Sequence, residues 1–455
     1  MSVDLSPGRL APPTAPARRS SRWIEHFDPE DREAWFASGR GIARRNLVLS
    51  IFAEFLGFAV WGLWGIVVPQ LASAGFSFTV DEQFWLIAIP SLVGATLRIP
   101  YTFAVPTFGG RNWTIASALL LLIPTSALAF FTSRPETPFS VMLVVAGLAG
   151  VGGGNFASSM ANISFFYPER EKGKALGLNA AGGNIGTAAI QFAVPIVIVA
   201  GAGISLGRAG LMMIPLILVA AVLAWRFMDN LAEAKADPRS FAVAAQNKHT
   251  WVISFLYIGT FGSFIGYSGA FPTLLKSQFP EMGLSIAFLG ALVGSLARPL
   301  GGLLADRFGG ARVTIASYAG MAAGATGAIV GLQQHVFVLF FASFLELFVA
   351  SGVGNGSTYR MIPAVFQAGV DPAGEDLAGR RAAARKAAAG CLGIAGAVGA
   401  FGGFLIPRGF AASTSMSGGI VPALVVFIAG YVVMAATTWW HYQRSTGGVS
   451  AAAVI

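Results

Sequence analysis

Two arginines stand out for the chemistry they could do. Leu92-Val93-Gly94 is followed by Arg98 and then by Phe108-Gly109-Gly110. Leu292-Val293-Gly294 is followed by Arg298 and then by Phe308-Gly309-Gly310. Both arginines lie inside long apolar stretches, about ten residues from one end, or roughly 15 Å at 1.5 Å rise. That is half of a roughly 30 Å hydrocarbon core. A guanidinium there costs roughly 2.5–3.5 kcal/mol on insertion scales, and snorkelling is hard. Either each pairs with a buried carboxylate, for which Glu54 and Glu346 are the two acids well inside apolar stretches, or the two together form an anion site. The repeat favours the second reading. Each guanidinium is a rigid planar fork suited to bidentate oxygen acceptors.

Other chemistry is scarce. The one cysteine, Cys391, excludes an internal disulfide framework, and His26, His249, His335 and His441 are too scattered to ligate a metal. No Ser-His-Asp set or phosphate loop occurs, and no cofactor is implied. The chain therefore does not read as an enzyme. A membrane sensor is the remaining alternative, but the short loops leave no room for a catalytic domain.

The elements that must position the arginines follow from composition. Of 455 residues, 55% are hydrophobic and only 11% charged, against about 25% charged in a soluble domain. Twelve stretches reach the roughly 20 residues needed to cross a bilayer. They lie near 46–74, 83–107, 112–133, 138–166, 172–203, 207–228, 250–275, 283–305, 312–333, 336–366, 388–411 and 417–441. Barrel-type alternation is missing from these runs. The formal charge of +9 points to the bilayer and an anionic substrate, not to nucleic acid. Lys and Arg crowd one set of connections (Arg40, Arg44 and Arg45, then Arg170, Lys172 and Lys174, then Arg380, Arg381 and Arg385), while the alternate loops hold Arg134, Arg208, Lys276 and Arg408. The positive-inside rule then places both termini in the cytoplasm. Residues 1–45 read as a cytoplasmic tail, with an interfacial amphipathic helix expected over 23–45. Residues 46–228 form a first six-helix half and 229–249 a central cytoplasmic loop. Residues 250–441 form a second half and 442–455 a tail.

The offset of 200 runs through both halves. Phe55-Leu56 and Trp61-Gly62 match Phe255-Leu256 and Phe261-Gly262, and Gly154-Asn155 matches Gly354-Asn355. A six-plus-six duplication resembles the architecture of major facilitator transporters, with substrate held near the midplane between halves. Gly302-x-x-x-Asp306-Arg307-x-Gly309-Gly310-x-Arg312 is similar to that superfamily's loop motif, whose charges latch helix ends. The first-half copy, Pro106-Thr107-Phe108-Gly109-Gly110-Arg111, lacks the aspartate. The expected fold is an all-α membrane protein with twelve transmembrane helices in two pseudo-symmetric halves.

Further motifs sharpen the resemblance. They are Leu97-Arg98-Ile99-Pro100-Tyr101, the run Asn155–Phe166, Tyr257-x-x-x-Phe261-Gly262-Ser263-Phe264-Ile265-Gly266, and the glycine-rich stretches Gly177–Gly186 and Gly390–Gly403. Over most of residues 23–441 the chain resembles the nitrate/nitrite porters of the major facilitator superfamily, NarK-like members in particular. The resemblance implies substrate arginines at Arg98 and Arg298, an aromatic clamp at Phe156 and Phe261, a tyrosine donor at Tyr257 and a signature asparagine at Asn184. Without it, Phe156 and Phe261 would read as core aromatics and the glycines as close helix packing. It also implies nitrate and nitrite as substrates, an inner (cytoplasmic) membrane location, a monomer, and a functional link to a nitrate reductase. Nitrate-in/nitrite-out antiport is the expected mode; Glu54 and Glu346 depart from the exchanger pattern, and nitrate/proton symport, with one of them carrying the proton and Glu54 the better candidate, is the alternative. Arg360 departs too, and near the end of its span it is expected to snorkel or to pair with loop acids sooner than to bind ligand.

Overall fold

The computed structural model describes residues 22–201, 203–235, 238–370 and 376–444. Among the described residues, twelve helices are long and apolar enough to cross a membrane. The first six are α1 (Arg32–Gln70), α2 (Val80–Phe108), α3 (Gly110–Phe131), α4 (Phe139–Phe166), α5 (Glu169–Val197) and α6 (Gly207–Phe227). The second six are α7 (Lys248–Gln278), α8 (Leu284–Phe308), α9 (Gly310–Gln333), α10 (Phe337–Ala368), α11 (Leu377–Ser417) and α12 (Val421–Gln443). Each expected span has its helix. An even number of crossings puts the start of α1 and the end of α12 on one face, here called the near face.

The two halves repeat each other in detail. α2 and α8 end at Gly109 and Gly309, both left-handed, with φ of 87° and 91°. Glycine adopts that conformation without a Cβ penalty, so each turn redirects the chain into the next helix with no spacer. Thr79 and Glu82 form a reciprocal capping box that starts α2. Asn247 caps α7 through the His249 backbone N–H.

The segment 23–45 is not a separate interfacial helix. Trp23–Ile24 is a strand, β1, paired in parallel with β2 (Asn230–Leu231) from the connection after α6. From Arg32 onward the chain is helical into α1. The charges that suggested an interface have a partner: Arg45 binds the buried carboxylate of Asp229. Asn46 donates to that carboxylate at 3.1 Å and accepts from the Asp229 backbone N–H at 3.0 Å. With its cation neutralised, the foot of α1 continues as helix beyond the apolar stretch. Of the expected tails at 1–45 and 442–455, residues 1–21 and 445–455 lie outside the described residues.

The two halves meet closely on the far face. Gly65 of α1 crosses α7 where a Cβ would sit 2.8 Å from the Gly269 carbonyl oxygen, a backbone approach that only small residues allow. Gln191 of α5 donates to the Ser268 carbonyl of α7 at 2.6 Å. Arg408 of α11 binds Asp81 of α2 at 2.9 Å and lies 4.2 Å from the Trp85 ring centroid. On the near face a linker helix, Pro238–Gln246, bridges the halves. Its Phe241 ring lies 5.1 Å from that of Phe103 in α2 and packs on Gly393 of α11.

Candidate functional site

Arg98 and Arg298 are both buried, and they converge on one pair of rings. The guanidinium carbon of Arg98 lies 4.5 Å from the Phe156 centroid and 4.8 Å from that of Phe261. The corresponding distances for Arg298 are 5.6 and 5.9 Å. Such contacts stabilise a cation by roughly 0.5–2 kcal/mol each. Among the described residues, no carboxylate binds either arginine directly. Arg98 donates from Nε to the Gly153 carbonyl at 3.1 Å and from Nη1 to the Gly396 carbonyl at 2.7 Å. Arg298 donates from Nη2 to the Tyr257 hydroxyl at 3.3 Å. That leaves Arg98 Nη2 and Arg298 Nη1 buried and without a hydrogen-bond partner among the described residues. Two positive charges with free donors, held in an apolar shell, can together hold an anion.

The clamp geometry comes from a local change in helix winding. α7 widens into a π-helical turn over Ile258–Gly262, and such turns commonly mark functional positions. It sets Tyr257 and Phe261 in a stack, 5.2 Å between centroids and 18° between planes. Phe261 stacks in turn on Phe156 from α4, at 6.0 Å and 26°. A flat anion held between two rings needs about 7 Å, two carbon contact distances of roughly 3.5 Å. The two rings must therefore part by about an ångström to cover both faces of such an anion.

Tyr257 also donates to Asn355 Oδ1 at 2.7 Å, so Asn355 orients the phenol that receives Arg298. Asn184 is fully buried on α5 with neither amide atom hydrogen-bonded among the described residues. Glu54 is fully buried on α1. Its Oε2 accepts from Asn179 at 2.6 Å, its Oε1 has no hydrogen-bond partner among the described residues, and both arginines lie within coulombic reach. Glu346 is not part of this group. It is exposed, about two and a half turns from Asn355 and so on the opposite side of α10. Lying inside a span did not make it inward-facing.

The loop motif sits apart from the arginines. Asp306 binds Arg360 of α10 at 2.5 Å, which gives Arg360 the loop-acid partner expected of it. Arg307 lies 5.1 Å from the Phe308 ring centroid, Gly309 makes the turn, and Arg312 is exposed. The sequence reading missed Tyr359, 5.7 Å from Arg298, and Asn179, which also donates to Ser159 at 2.8 Å. It also missed the Gly153 and Gly396 carbonyls. The Asn155/Asn355 repeat was the one available signal for a polar partner of Tyr257.

Twelve spans in two pseudo-symmetric halves, closing on buried cations, define a transporter of the major facilitator class, and the family model described as Major Facilitator Superfamily matches residues 49–398. The chain is 39% identical over 450 residues to the nitrate/nitrite transporter NarU of Escherichia coli (strain K12), covering 94% of this chain and 97% of that one. It is 35% identical over 442 residues to the "Probable nitrate/nitrite antiporter NarK2" of Thermus thermophilus, covering 90% and 94%. The chain belongs to the nitrate/nitrite porter family of that superfamily, whose members are transporters and not enzymes. Among solved structures, the inward-open xylose transporter XylE from E. coli superposes with a TM-score of 0.64 at 15% identity, covering 90% of this chain and 99% of that one. That likeness shows the fold alone.

Proposed function

We propose that this protein carries nitrate and nitrite across the cytoplasmic (inner) membrane by alternating access, exchanging one for the other at the Arg98–Arg298 site. The observation that carries this reading is the pair of guanidinium groups, each with an unpartnered N–H group, beside one pair of aromatic rings. Nitrate is planar, singly charged and has three acceptor oxygens. Nitrite is bent and smaller, with the same charge and an oxygen edge. Arginines bind the edges of either, and Phe156 and Phe261 cover the faces, with Tyr257 and Asn184 completing the shell. The relatives named as nitrate/nitrite transporter and antiporter support the substrates and the exchange. Two like charges resist close approach of the halves, and a bound anion offsets that repulsion. Only loaded carriers then interconvert, which makes the exchange one-for-one and electroneutral.

In this reading the halves expected at 46–228 and 250–441 rock about the 229–249 linker. The near face, rich in Lys and Arg, is cytoplasmic. The carrier works as a monomer, supplying a nitrate reductase on that side and removing its product. The test is nitrate uptake into proteoliposomes with nitrite inside or absent, with and without a proton gradient. Uptake that needs internal anion and ignores the gradient is the expected result. Gradient-driven uptake into empty vesicles would replace exchange by nitrate/proton symport. Glu54 favours that second reading, because its buried Oε1 has no hydrogen-bond partner among the described residues and could hold a proton beside the anion.

A further inference from the structure

The π-helical turn that carries Phe261 has no copy in the first half. Residues 58–62, the mates of Ile258–Gly262 at the offset of 200, are ordinary α-helix within α1. Such a turn is rare and needs a local cause. Tyr318 of α9 donates to the Leu256 carbonyl of α7 at 2.5 Å, and Thr260 Oγ1 reaches the same oxygen at 3.4 Å. A side-chain donor set into the ladder competes with the helix's own amides for that carbonyl and loosens the winding beside it. At the other end of the turn, Ser263 Oγ lies 3.0 Å from the hydroxyl of Tyr431 on α12, which is 2.6 Å from the Tyr267 hydroxyl of α7. The Tyr318 and Tyr431 rings stack on each other, 6.3 Å between centroids and 18° between planes. One aromatic pair therefore grips α7 on both sides of the wide turn.

Gly259 makes room for that grip: a Cβ there would lie 2.9 Å from Tyr318 Cε1 and 3.0 Å from its hydroxyl oxygen. The first half supplies a control within the same chain. The mates of Gly259, Thr260, Ser263 and Tyr318 are Ala59, Val60, Leu63 and Ala118. Each exchange removes a hydroxyl or the space that one needs, and the helix there is regular. We propose that Tyr318 and Tyr431 are positioning residues for the anion site. They hold the π-helical turn open from outside, and through it they set Tyr257 against Arg298 and Phe261 against Phe156. Both give their hydroxyl groups to α7 and not to the arginines. Rewinding the turn as α-helix would rotate the parts of α7 on its two sides by about 100° relative to each other, the advance of one residue. Tyr257 lies just before the turn and Phe261 within it, so the two could not both keep their places. The inference rests on the proposed anion site at Arg98 and Arg298.

The test is concentration-dependent nitrate uptake against internal nitrite in proteoliposomes of wild type, Tyr318→Phe, Tyr257→Phe and the double variant. Phenylalanine keeps the stacked ring and removes only the hydroxyl. Tyr431→Phe, alone and with Tyr257→Phe, serves in the same way if Tyr318→Phe does not insert. The expected result for Tyr318→Phe is a nitrate KM raised roughly ten-fold, about 1.4 kcal/mol of binding, with the maximal rate kept. Because Tyr318 acts through Tyr257, the KM of the double variant should stay within about three-fold of that of Tyr257→Phe alone. Single rises that multiply in the double variant, as an independent packing defect would give, overturn the proposal. An unchanged KM in Tyr318→Phe, or a loss confined to the maximal rate, overturns it too. Wild-type protein that moves neither anion overturns the anion-site reading itself, which separates the two failures.

Discussion

Arg98 Nη1 donates to the backbone carbonyl of Gly396 at 2.7 Å. One residue is on α2 in the first half and the other on α11 in the second. The first half's buried arginine is thus held by the second half's main chain. Separating the halves here removes an acceptor from a buried cation, and hydrogen bonds to charged groups are worth about 1.5–3 kcal/mol. An anion oxygen can replace that carbonyl as the halves part. In the proposed exchange, substrate would then do more than screen repulsion, because it would satisfy the donor that the movement exposes.

Arg98→Lys keeps the charge but loses the fork that reaches Gly153 and Gly396 together. Nitrate uptake against internal nitrite should fall at least about a hundred-fold, the effect of losing two charged hydrogen bonds. Arg298→Lys should behave alike. Wild-type rates from either variant would sink the assigned anion site.

Tyr257→Phe removes the oxygen between Arg298 and Asn355 and leaves Asn355 Oδ1 buried without its donor. An unmet buried acceptor costs about 1–3 kcal/mol. The KM for nitrate should rise about ten-fold, and thermal stability in detergent should fall. A KM equal to wild type would show that the phenol does not position Arg298.

Glu54→Gln keeps an acceptor oxygen for the Asn179 amide but holds no exchangeable carboxyl proton. Exchange of nitrate for nitrite should continue within about two-fold of wild type, with the same pH profile. Loss of pH dependence in the variant, measured from pH 5 to 8, would instead make Glu54 the proton carrier of a symporter.

Asp81→Asn weakens the contact with Arg408 that ties α2 to α11 on the far face. Partly exposed ion pairs are worth about 0.2–1 kcal/mol. The population open on the far face should therefore rise by up to about five-fold. Spin-label distances between the start of α2 and the end of α11 would report it, and an unchanged distribution would remove Asp81 from the gate.

Much of this was legible in the sequence because duplication writes itself at a fixed offset. The twelve spans, the arginine pair and the turns at Gly109 and Gly309 all carry that periodicity. The Phe156–Phe261 stack was legible through the motifs around the two residues, not through spacing: by the repeat, Phe261 is the mate of Trp61 and Phe156 of Gly356. What was hidden depends on facing and on contacts between halves. Glu346 shows that depth along a helix says nothing about its direction around the helix. The Gly396 carbonyl belongs to a backbone that a residue code does not distinguish. The continuation of α1 through Arg45 was hidden because its neutralising partner, Asp229, lies six spans away.

The ribbon between Trp23–Ile24 and Asn230–Leu231 also sets a timetable. Its first strand leaves the ribosome about two hundred residues before its second. At roughly 5–20 residues per second, Trp23 and Ile24 wait about 10–40 s for their partner. During that wait the six helices of the first half enter the bilayer one after another. The ribbon can close, and Asp229 can meet Arg45, only when the sixth has emerged. Newly made chains arrested before Asn230 should keep the amino-terminal segment open to added protease, and chains a few tens of residues longer should protect it.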